Sequence, residues 1–441
     1  MKKAYLGLVV AAGLILLFSG GVSARSASKL KSCSTEKAAR GFSQTERAQV
    51  PNNRAARHCF PSHRAPEITG DIYVDAGNTG YEDGSEEYPF NTIQEGVDAT
   101  PDGRTCVVIG EYEGSRIIYS ASTGETFPIL IEGRNGITLQ GENYPVIKNG
   151  SIELQCSNDC TVEGIEITTR YIGISVCAYR YPYESTNVRI LNNRIRIEGR
   201  PGSREQKVRG VIIEPSRLVE PSVYECYIEG NEIVTDVGIL VRDVLEGSPG
   251  PETAVTIRDN LIWGGVVGIE LWTKGNFIER NLIWKNKCGI SLKDHANIIS
   301  NNTLVFNPTG ILFNCGLLTG HGDPRGTDAI VNNIVYWGIR GMDVRDTYVA
   351  GFASWEDIFR NNDIWDSVVN YSGMPDLSAS GAGENISADP IFVDLAHKNC
   401  NLQLGSPCID AGTDDIDGDG APDITDYHGA APDIGAFEFR P

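Results

Sequence analysis

The segment "RNLIWKNKCGISL", residues 280–292, repeats the pattern of "DNLIWGGVVGIEL", residues 259–271. In both segments an asparagine begins a short apolar run, and a glycine eight residues later begins an alternating apolar run. The spacing from Asn260 to Asn281 to Asn302 is 21 residues, and each period holds three strand-like runs. This layout predicts an all-β fold: a parallel β-helix with three strands in each coil of about 21 residues.

The asparagine that recurs once per coil is predicted to be buried at a bend. Stacked coils place equivalent side chains about 4.8 Å apart. Each amide can then bond to the next amide and to backbone groups of the bend. We therefore interpret one set of asparagines as structural: Asn193, Asn231, Asn260, Asn281, Asn302, Asn333 and Asn362.

The regions flanking the repeat divide the chain. Residues 1–24 have a basic tip, an apolar core and a small-residue site, which predicts a secretory signal peptide rather than an uncleaved anchor. Residues 25–66 are polar, basic and aperiodic, which predicts a disordered leader. Residues 67–441 are predicted to form the β-helix domain. Within it, residues 67–115 form an N-terminal cap with a short helix after Thr92, and residues 400–441 form a closing segment.

Composition limits the partners of the chain. Its net charge of −20 argues against a nucleic-acid partner. An odd number of cysteines, 11, leaves at least one unpaired within the chain, and the absence of CxxC argues against zinc. No segment other than the signal is apolar enough to span a membrane. We expect a monomer that is secreted, periplasmic or on the cell surface.

Three further stretches carry a resemblance to a known family. "YPFNTIQEGVDA" (88–99) is followed by "CVVIGEYEG" (106–114), and the chain ends with "SPCIDAGT" (406–413) and "AAPDIGAFEF" (430–439). With the asparagine coils, these resemble right-handed parallel β-helix proteins of the pectate-lyase superfamily with carbohydrate-binding and sugar-hydrolysis repeats. The resemblance covers roughly residues 70–440. It implies a polysaccharide partner and a cleft on the sheet that follows each glycine, in a superfamily of lyases, hydrolases, epimerases and non-catalytic proteins.

Alternation along the glycine strands places the first and third residues after the glycine inward, and the second and fourth outward. The outward positions and adjoining turns supply the candidate site residues. Candidate catalytic residues are Lys293, His295, Asp294, Glu270 and Arg345. Candidate substrate-binding residues are Trp272, Arg242, Lys274, Asn314 and Asp343. A flat aromatic ring can stack on a sugar, while charged neighbours bind hydroxyls and carboxylates.

These residues permit three functions. In a lyase acting on a uronate-containing glycan, Lys293 or His295 would be the base, and Arg345 or Arg242 would hold the carboxylate. In a glycoside hydrolase, Glu270 and Asp294 on adjacent coils would form the carboxylate pair. The third alternative is a non-catalytic surface or glycan-binding solenoid, in which the charges are ordinary solvated surface.

The segment "DIDGDGAPDITD", residues 415–426, carries a separate metal pattern. Carboxylates fall at positions 1, 3, 5, 9 and 12, which are Asp415, Asp417, Asp419, Asp423 and Asp426. Alternate carboxylates converging on one hard cation are typical of a twelve-residue calcium loop. We predict a structural calcium ion here, with a flexible acidic turn as the alternative.

Overall fold

The computed structural model describes residues 70–112, 114–178, 184–199, 207–214, 223–242, 253–294, 296–314, 328–345 and 355–441. These residues belong to one compact unit, Pro66–Pro441. The predicted signal peptide, the leader and His295 lie outside the described residues. So do residues 315–326 and residues 244–252 of the segment 244–254, two segments that the sequence suggests as inserted loops walling a cleft.

Parallel strands stack into three faces that wind around one core. The first face contains Ile72–Val74, Thr105–Ile109, Thr138–Glu142, Thr161–Glu163, Arg189–Leu191, Tyr227–Glu229, Thr256–Arg258, Phe277–Glu279, Ile298–Ser300, Ala329–Val331 and Phe359–Arg360. The second contains Ile118–Tyr119, Val146–Lys148, Glu166–Thr169, Arg194–Ile197, Glu232–Val234, Leu261–Trp263, Leu282–Trp284 and Thr303–Val305. The third contains Ile129–Glu132, Ile152–Gln155, Ile172–Cys177, Arg209–Glu214, Val237–Val241, Val267–Leu271, Cys288–Leu292 and Thr309–Phe313.

The second and third faces join into one 18-stranded sheet. Strands Ile334–Val344 and Asp363–Ser372 continue through both faces and pair with each other in parallel. Shorter elements lie at the periphery. They are the helices Ile93–Ala99, Trp355–Ile358 and Leu377–Ser380, the 3-10 turns Ala121–Thr123, Ala382–Glu384 and Leu395–His397, and the strand pairs Glu111–Tyr112 with Ser115–Arg116, Ser185–Thr186 with Val223–Tyr224, and Phe392–Asp394 with Asn399–Leu402.

The helix predicted after Thr92 is present as Ile93–Ala99. The Thr92 side chain accepts a hydrogen bond from the backbone N–H of Glu95, which satisfies one of the free donors of the first turn. The helix packs against Ile72–Val74, Thr105–Ile109 and Ile129–Glu132, the first strands of the first and third faces. Its buried residues Ile93 and Val97 join the core.

The predicted asparagine ladder is confirmed. Oδ1 of Asn281 accepts from the backbone N–H of Asn260 at 3.1 Å and from its Nδ2 at 2.9 Å. Asn281 in turn donates to Oδ1 of Asn302, 21 residues further on. The ladder runs from Asn193 to Asn362 and continues to Asn385. It satisfies amides that would otherwise be buried without partners.

The glycine of each third-face strand is required by close packing between coils. A Cβ atom on Gly289 would lie 2.6 Å from the backbone oxygen of Gly310 and 2.6 Å from Cδ2 of Leu304. Neighbouring coils therefore contact each other here through their backbones. A side chain in place of the glycine would force the two coils apart.

A second apolar core lies on the outer side of the β-helix. The outward Leu and Trp side chains of the second face, including Leu282 and Trp284, pack against the C-terminal residues Phe392, Leu402 and Ile434. Hydrogen bonds anchor this segment to the coils. The backbone N–H of Ala436 donates to Oγ1 of Thr303 at 2.9 Å. The C-terminal segment therefore covers the second face along its side.

Asp363 lies wholly buried where this segment meets the second face. One carboxylate oxygen accepts from the backbone N–H of Ala388 at 3.0 Å, and the other contacts Sγ of Cys408 at 3.2 Å. Burial raises the pKa of Asp363 to about 7, against the hydrogen bonds from Ala388 and Cys408, which lower it. The carboxyl is therefore protonated in the fold at mildly acidic pH.

We expect Asp363 to make stability depend on pH. Its unfolded pKa is near 3.8 and its folded pKa is about 7, so the folded chain holds a proton that the unfolded chain has lost. The contribution of this proton to the free energy of unfolding is complete below the unfolded pKa and is lost as pH rises through the folded pKa. Its size is on the order of 1.4 kcal/mol for each unit by which the two pKa values differ. Urea unfolding of wild type and Asp363→Asn at several pH values between about 4 and about 8 measures it. The variant should show a weaker decline, whereas Asp366→Asn, on an exposed position of the same strand, should follow wild type. Parallel curves for all three proteins would contradict the assignment.

Candidate functional site

The outer surface of the third face is the surface on which the sequence places the site. Ile290 and Leu292 are fully buried and belong to the central core, as predicted from the alternation. The second residue after each glycine forms one row across the coils, because Leu240, Glu270, Ser291, Leu312 and Asp343 are register partners in that order. The fourth residue forms a second row at the strand ends.

A third outward row, which simple alternation missed, lies immediately before the glycine. It includes Arg209, Val267, Cys288 and Arg340. Val267 and Cys288 share an apolar cluster with Leu240, which lies on the outer side of the face. Alternation is therefore interrupted at the glycine. No single residue type occupies this position in every coil, so the sequence carried no signal for this row.

The centre of this surface is largely buried, whereas the sequence predicted outward-facing charges along it. Ile212, Leu240, Ser291 and Asp343 are all buried. Trp272 and Leu312 pack at the edge of the same apolar cluster. Apart from the half-buried Glu270, the accessible charges among the described residues around this centre lie toward the strand ends.

Lys293 and Glu270 are charged groups on adjacent coils of this surface. The Nζ atom of Lys293 lies 5.7 Å from the centroid of the Trp272 ring, a cation–π contact. Glu270 is half-buried and pairs in register with Ser291. Within the described part of the chain, neither Lys293 nor Glu270 forms an ion pair, so both charges are available to a ligand.

The two predicted arginines are already engaged by carboxylates. Arg242 donates from Nη2 to Oε1 of Glu214 at 2.7 Å, on the preceding coil. Arg345 donates from Nε to Oδ2 of the buried Asp343 at 2.9 Å. Arg345 remains half-exposed, so its guanidinium can also contact a substrate carboxylate.

Four of the predicted residues lie close enough to the Cys288 thiol for their charges to shift its pKa. Burial raises the pKa of the Cys288 thiol to about 12; Glu270 and Asp343 also raise it, and Arg345 and Lys293 lower it. Cys288 therefore lies near two carboxylates and two positively charged side chains. It was not among the predicted residues.

Arg209 is a second residue that the sequence reasoning missed. Burial, followed by the charge of Arg242, lowers its pKa, while Glu214 and Glu270 raise it. Its Nε atom is buried without a hydrogen-bond partner among the described residues. The guanidinium thus retains an unused donor beside Glu270.

The remaining predicted residues lie at the margins. Asp294 is only 6% exposed, and its backbone oxygen accepts from Nδ2 of Asn297 at 3.1 Å. Asn314 and Lys274 are half-buried beyond the ends of their strands. Asp294 is therefore held within the turn, on the buried side, while Glu270 lies on the outer surface.

The acidic loop forms a compact carboxylate group. Ligand atoms of Asp415, Asp417 and Asp419 lie within 4.8 Å of one another. The carboxylate of Asp423 instead accepts from the backbone N–H groups of Ile416 and Asp417, at 2.7 and 3.2 Å. The Asp423 side chain therefore stabilises the loop by binding the backbone of the loop itself. Asp426 lines an adjoining cavity of about 230 Å³ between the first face and the C-terminal segment.

Comparison with known proteins supports the fold. Residues 120–335 match the family model described as "Periplasmic copper-binding protein (NosD)". The chain is a parallel β-helix protein. The resemblance to the pectate-lyase superfamily is thereby confirmed for the fold. No curated protein matches the sequence.

Solved structures similar to the chain have low sequence identity to it. A pectate lyase, Pel9A, is 14% identical, with 84% of this chain and 96% of that chain covered and a TM-score of 0.46. A rhamnogalacturonan lyase is 11% identical, with coverage of 76% and 95% and a TM-score of 0.43. The alginate lyase AlyGC is 16% identical with a TM-score of 0.42; 62% of this chain matches 38% of that chain.

The described residues do not fit a copper site. Copper in proteins is held mainly by histidine, cysteine and methionine. The group of potential ligands found among the described residues is Asp415, Asp417 and Asp419, which offers only hard carboxylate oxygens. The eight described cysteines are free thiols, and none of them joins such a group.

No helix within the described residues is both long enough and apolar enough to cross a membrane.

Proposed function

We propose that this protein is exported and acts on a uronate-containing polysaccharide as a lyase, using the outer surface of its third face. The observation that carries the proposal is the Lys293 amine, which has no ion-pair partner among the described residues and lies 5.7 Å from the centroid of the Trp272 ring, with the half-exposed Arg345 near the same thiol of Cys288. A sugar ring and its carboxylate need an aromatic surface, a cation and a base in proximity.

In the proposed reaction, Arg345 holds the substrate carboxylate and Trp272 supports the sugar ring. Lys293, once it has lost its own proton, takes the proton from the carbon next to the carboxylate. The electron pair forms a carbon–carbon double bond as the bond to the glycosidic oxygen breaks, and that oxygen takes up a proton from water. The products are an unsaturated uronate end and a new free hydroxyl end. Glu270 and Arg209 would bind hydroxyls beside this centre.

The direct test is incubation with a panel of uronate polymers, with release of the unsaturated product followed by ultraviolet absorbance. We expect product from at least one acidic polymer and none from neutral glucans. Release of saturated oligosaccharides would instead favour a hydrolase. For that alternative Glu270 lacks its predicted partner on the surface, because Asp294 is buried in the turn.

A non-catalytic glycan-binding solenoid is the second candidate. It is favoured by the pairing of Arg242 with Glu214 and of Arg345 with Asp343, which neutralises part of the surface charge. The family description at residues 120–335 names a copper-binding protein and no enzyme, which also agrees with a non-catalytic role. Retention on an acidic polymer without any cleavage product would select this candidate.

We also propose that Asp415, Asp417 and Asp419 bind calcium and stabilise the C-terminal segment. Their converging oxygens suit a hard cation. Saturating calcium should therefore raise the melting temperature, because an ion that binds only the folded state adds about 2.7 kcal/mol at a hundred times its Kd. The double variant Asp415→Asn/Asp419→Asn should lose the shift. An unchanged melting temperature for wild type in calcium would refute a stabilising site.

A further inference from the structure

The corner between the second and third faces carries a column of residues with an unusual backbone. Lys285, Phe306, Trp337 and Asp366 have φ values of 52°, 57°, 56° and 55° on successive coils. Backbone hydrogen bonds stack them, from the N–H of Lys285 to Val305 and from the N–H of Phe306 to Tyr336. This left-handed conformation favours Gly, Asn and Asp and disfavours bulky side chains.

The preceding corner follows that preference. Its left-handed residues on successive coils are Asp259, Arg280, Asn301, Asn332 and Asn361, four of which are Asp or Asn. Aromatic residues at the second corner therefore oppose the local backbone preference. A residue kept in a disfavoured conformation is a reason to look for a function.

The aromatic side chains of this corner face solvent. Trp337 is 48% exposed, and its ring centroid lies 5.7 Å from that of Phe306 at an interplanar angle of 71°. Ile339 and Val368 beside it are also exposed. Phe306 packs between Trp284 on the preceding coil and Tyr336 on the following coil, with centroid distances of 5.0 and 5.8 Å. The corner thus presents a supported apolar surface on adjacent coils.

Positive charge borders these rings at the Lys285 end of the column, and the exposed Asp366 lies at the other end, in a chain whose net charge is −20. The Nζ atom of Lys285 lies 5.5 Å from the Phe306 centroid, and the exposed Lys287 follows two residues later. Neither lysine forms an ion pair with any residue that the structure describes. An aromatic surface with free cations complements a ring that has an apolar face, hydroxyl edges and a carboxylate.

We propose that Lys285, Lys287, Phe306, Trp337 and Ile339 form a second binding surface, the corner platform, for a carboxylated glycan. Sugar rings would stack on Trp337 and Phe306, with carboxylates on Lys285 and Lys287. The platform holds polymer and needs no chemistry at Lys293. The corner platform rests on the proposed function for its ligand class, a uronate polymer. Its test measures binding alone and does not depend on cleavage.

Affinity electrophoresis through gels containing polygalacturonate, alginate or neutral dextran tests the platform. Wild type should be retarded by at least one uronate polymer and not by dextran. Trp337→Asn, which suits the corner backbone, and Lys285→Gln should each weaken retardation roughly tenfold. Tyr81→Ala, which removes a 69% exposed tyrosine elsewhere, should leave it unchanged.

Three outcomes would overturn the proposal: undiminished retardation of Trp337→Asn, equal retardation in dextran, or a dimer that dissociates in Trp337→Asn. The last would identify the corner as a self-association surface. Thermal melting verifies that each variant is folded. Lys293→Ala separates the two sites, because it should lose cleavage but keep most of its retardation, which Trp337→Asn should weaken.

Discussion

Replacing Asn281 with alanine should destabilise the β-helix more than any surface substitution. Its Oδ1 accepts two hydrogen bonds from Asn260, and its Nδ2 donates to the backbone oxygens of Ile257 and Glu279, at 2.8 and 3.1 Å. Alanine would leave these buried groups without partners, at about 1–3 kcal/mol for each unsatisfied group. Since water cannot reach the ladder, we expect a total loss of about 3 kcal/mol or more.

Urea unfolding with a common slope measures this loss. The matched control is Asn401→Ala, because Asn401 is exposed and its side chain, among the described residues, bonds to Oδ1 of Asn399 alone. We expect the control to change the free energy of unfolding by less than about 0.5 kcal/mol. Equal effects of the two substitutions would mean that the ladder contributes no more than a surface amide.

Replacing Lys293 with alanine should abolish cleavage of the uronate polymer. A positioned general base contributes about 10²- to 10⁴-fold to the rate, so kcat should fall by at least the lower figure. Polymer binding should weaken less, because Trp272 and Arg345 remain. Initial rates of unsaturated-product formation, with KM measured separately, distinguish these two effects.

Lys148→Ala serves as the control for this experiment, since Lys148 is an exposed lysine on the second face. Its rate should equal that of wild type. Lys293→Arg retains the positive charge but supplies a poor base, so it should bind polymer and cleave it slowly. Full activity of either Lys293 variant would exclude Lys293 as the base and leave His295, the other predicted base, to be tested.

Part of the site was predictable because it depends on strand alternation. The outward rows that contain Glu270, Trp272 and Lys293 follow from the positions after the glycine. Arg209 and Cys288 were missed because alternation is interrupted where neighbouring coils touch at the glycine. Burial of Asp294 was missed because a turn residue has no fixed side-chain direction in a strand pattern.

The sequence by itself determined the coil, the asparagine ladder and the inward Ile and Leu residues, because a short repeat imposes the same local geometry on every turn. Only the tertiary structure decided what covers the outer surfaces. The Leu and Trp of "NLIW" are buried by a C-terminal segment more than a hundred residues away in sequence. The pairing of Arg242 with Glu214 and the aromatic column at Phe306 and Trp337 likewise arise between coils. Such contacts depend on how separate coils stack, so no pattern within one coil predicts them.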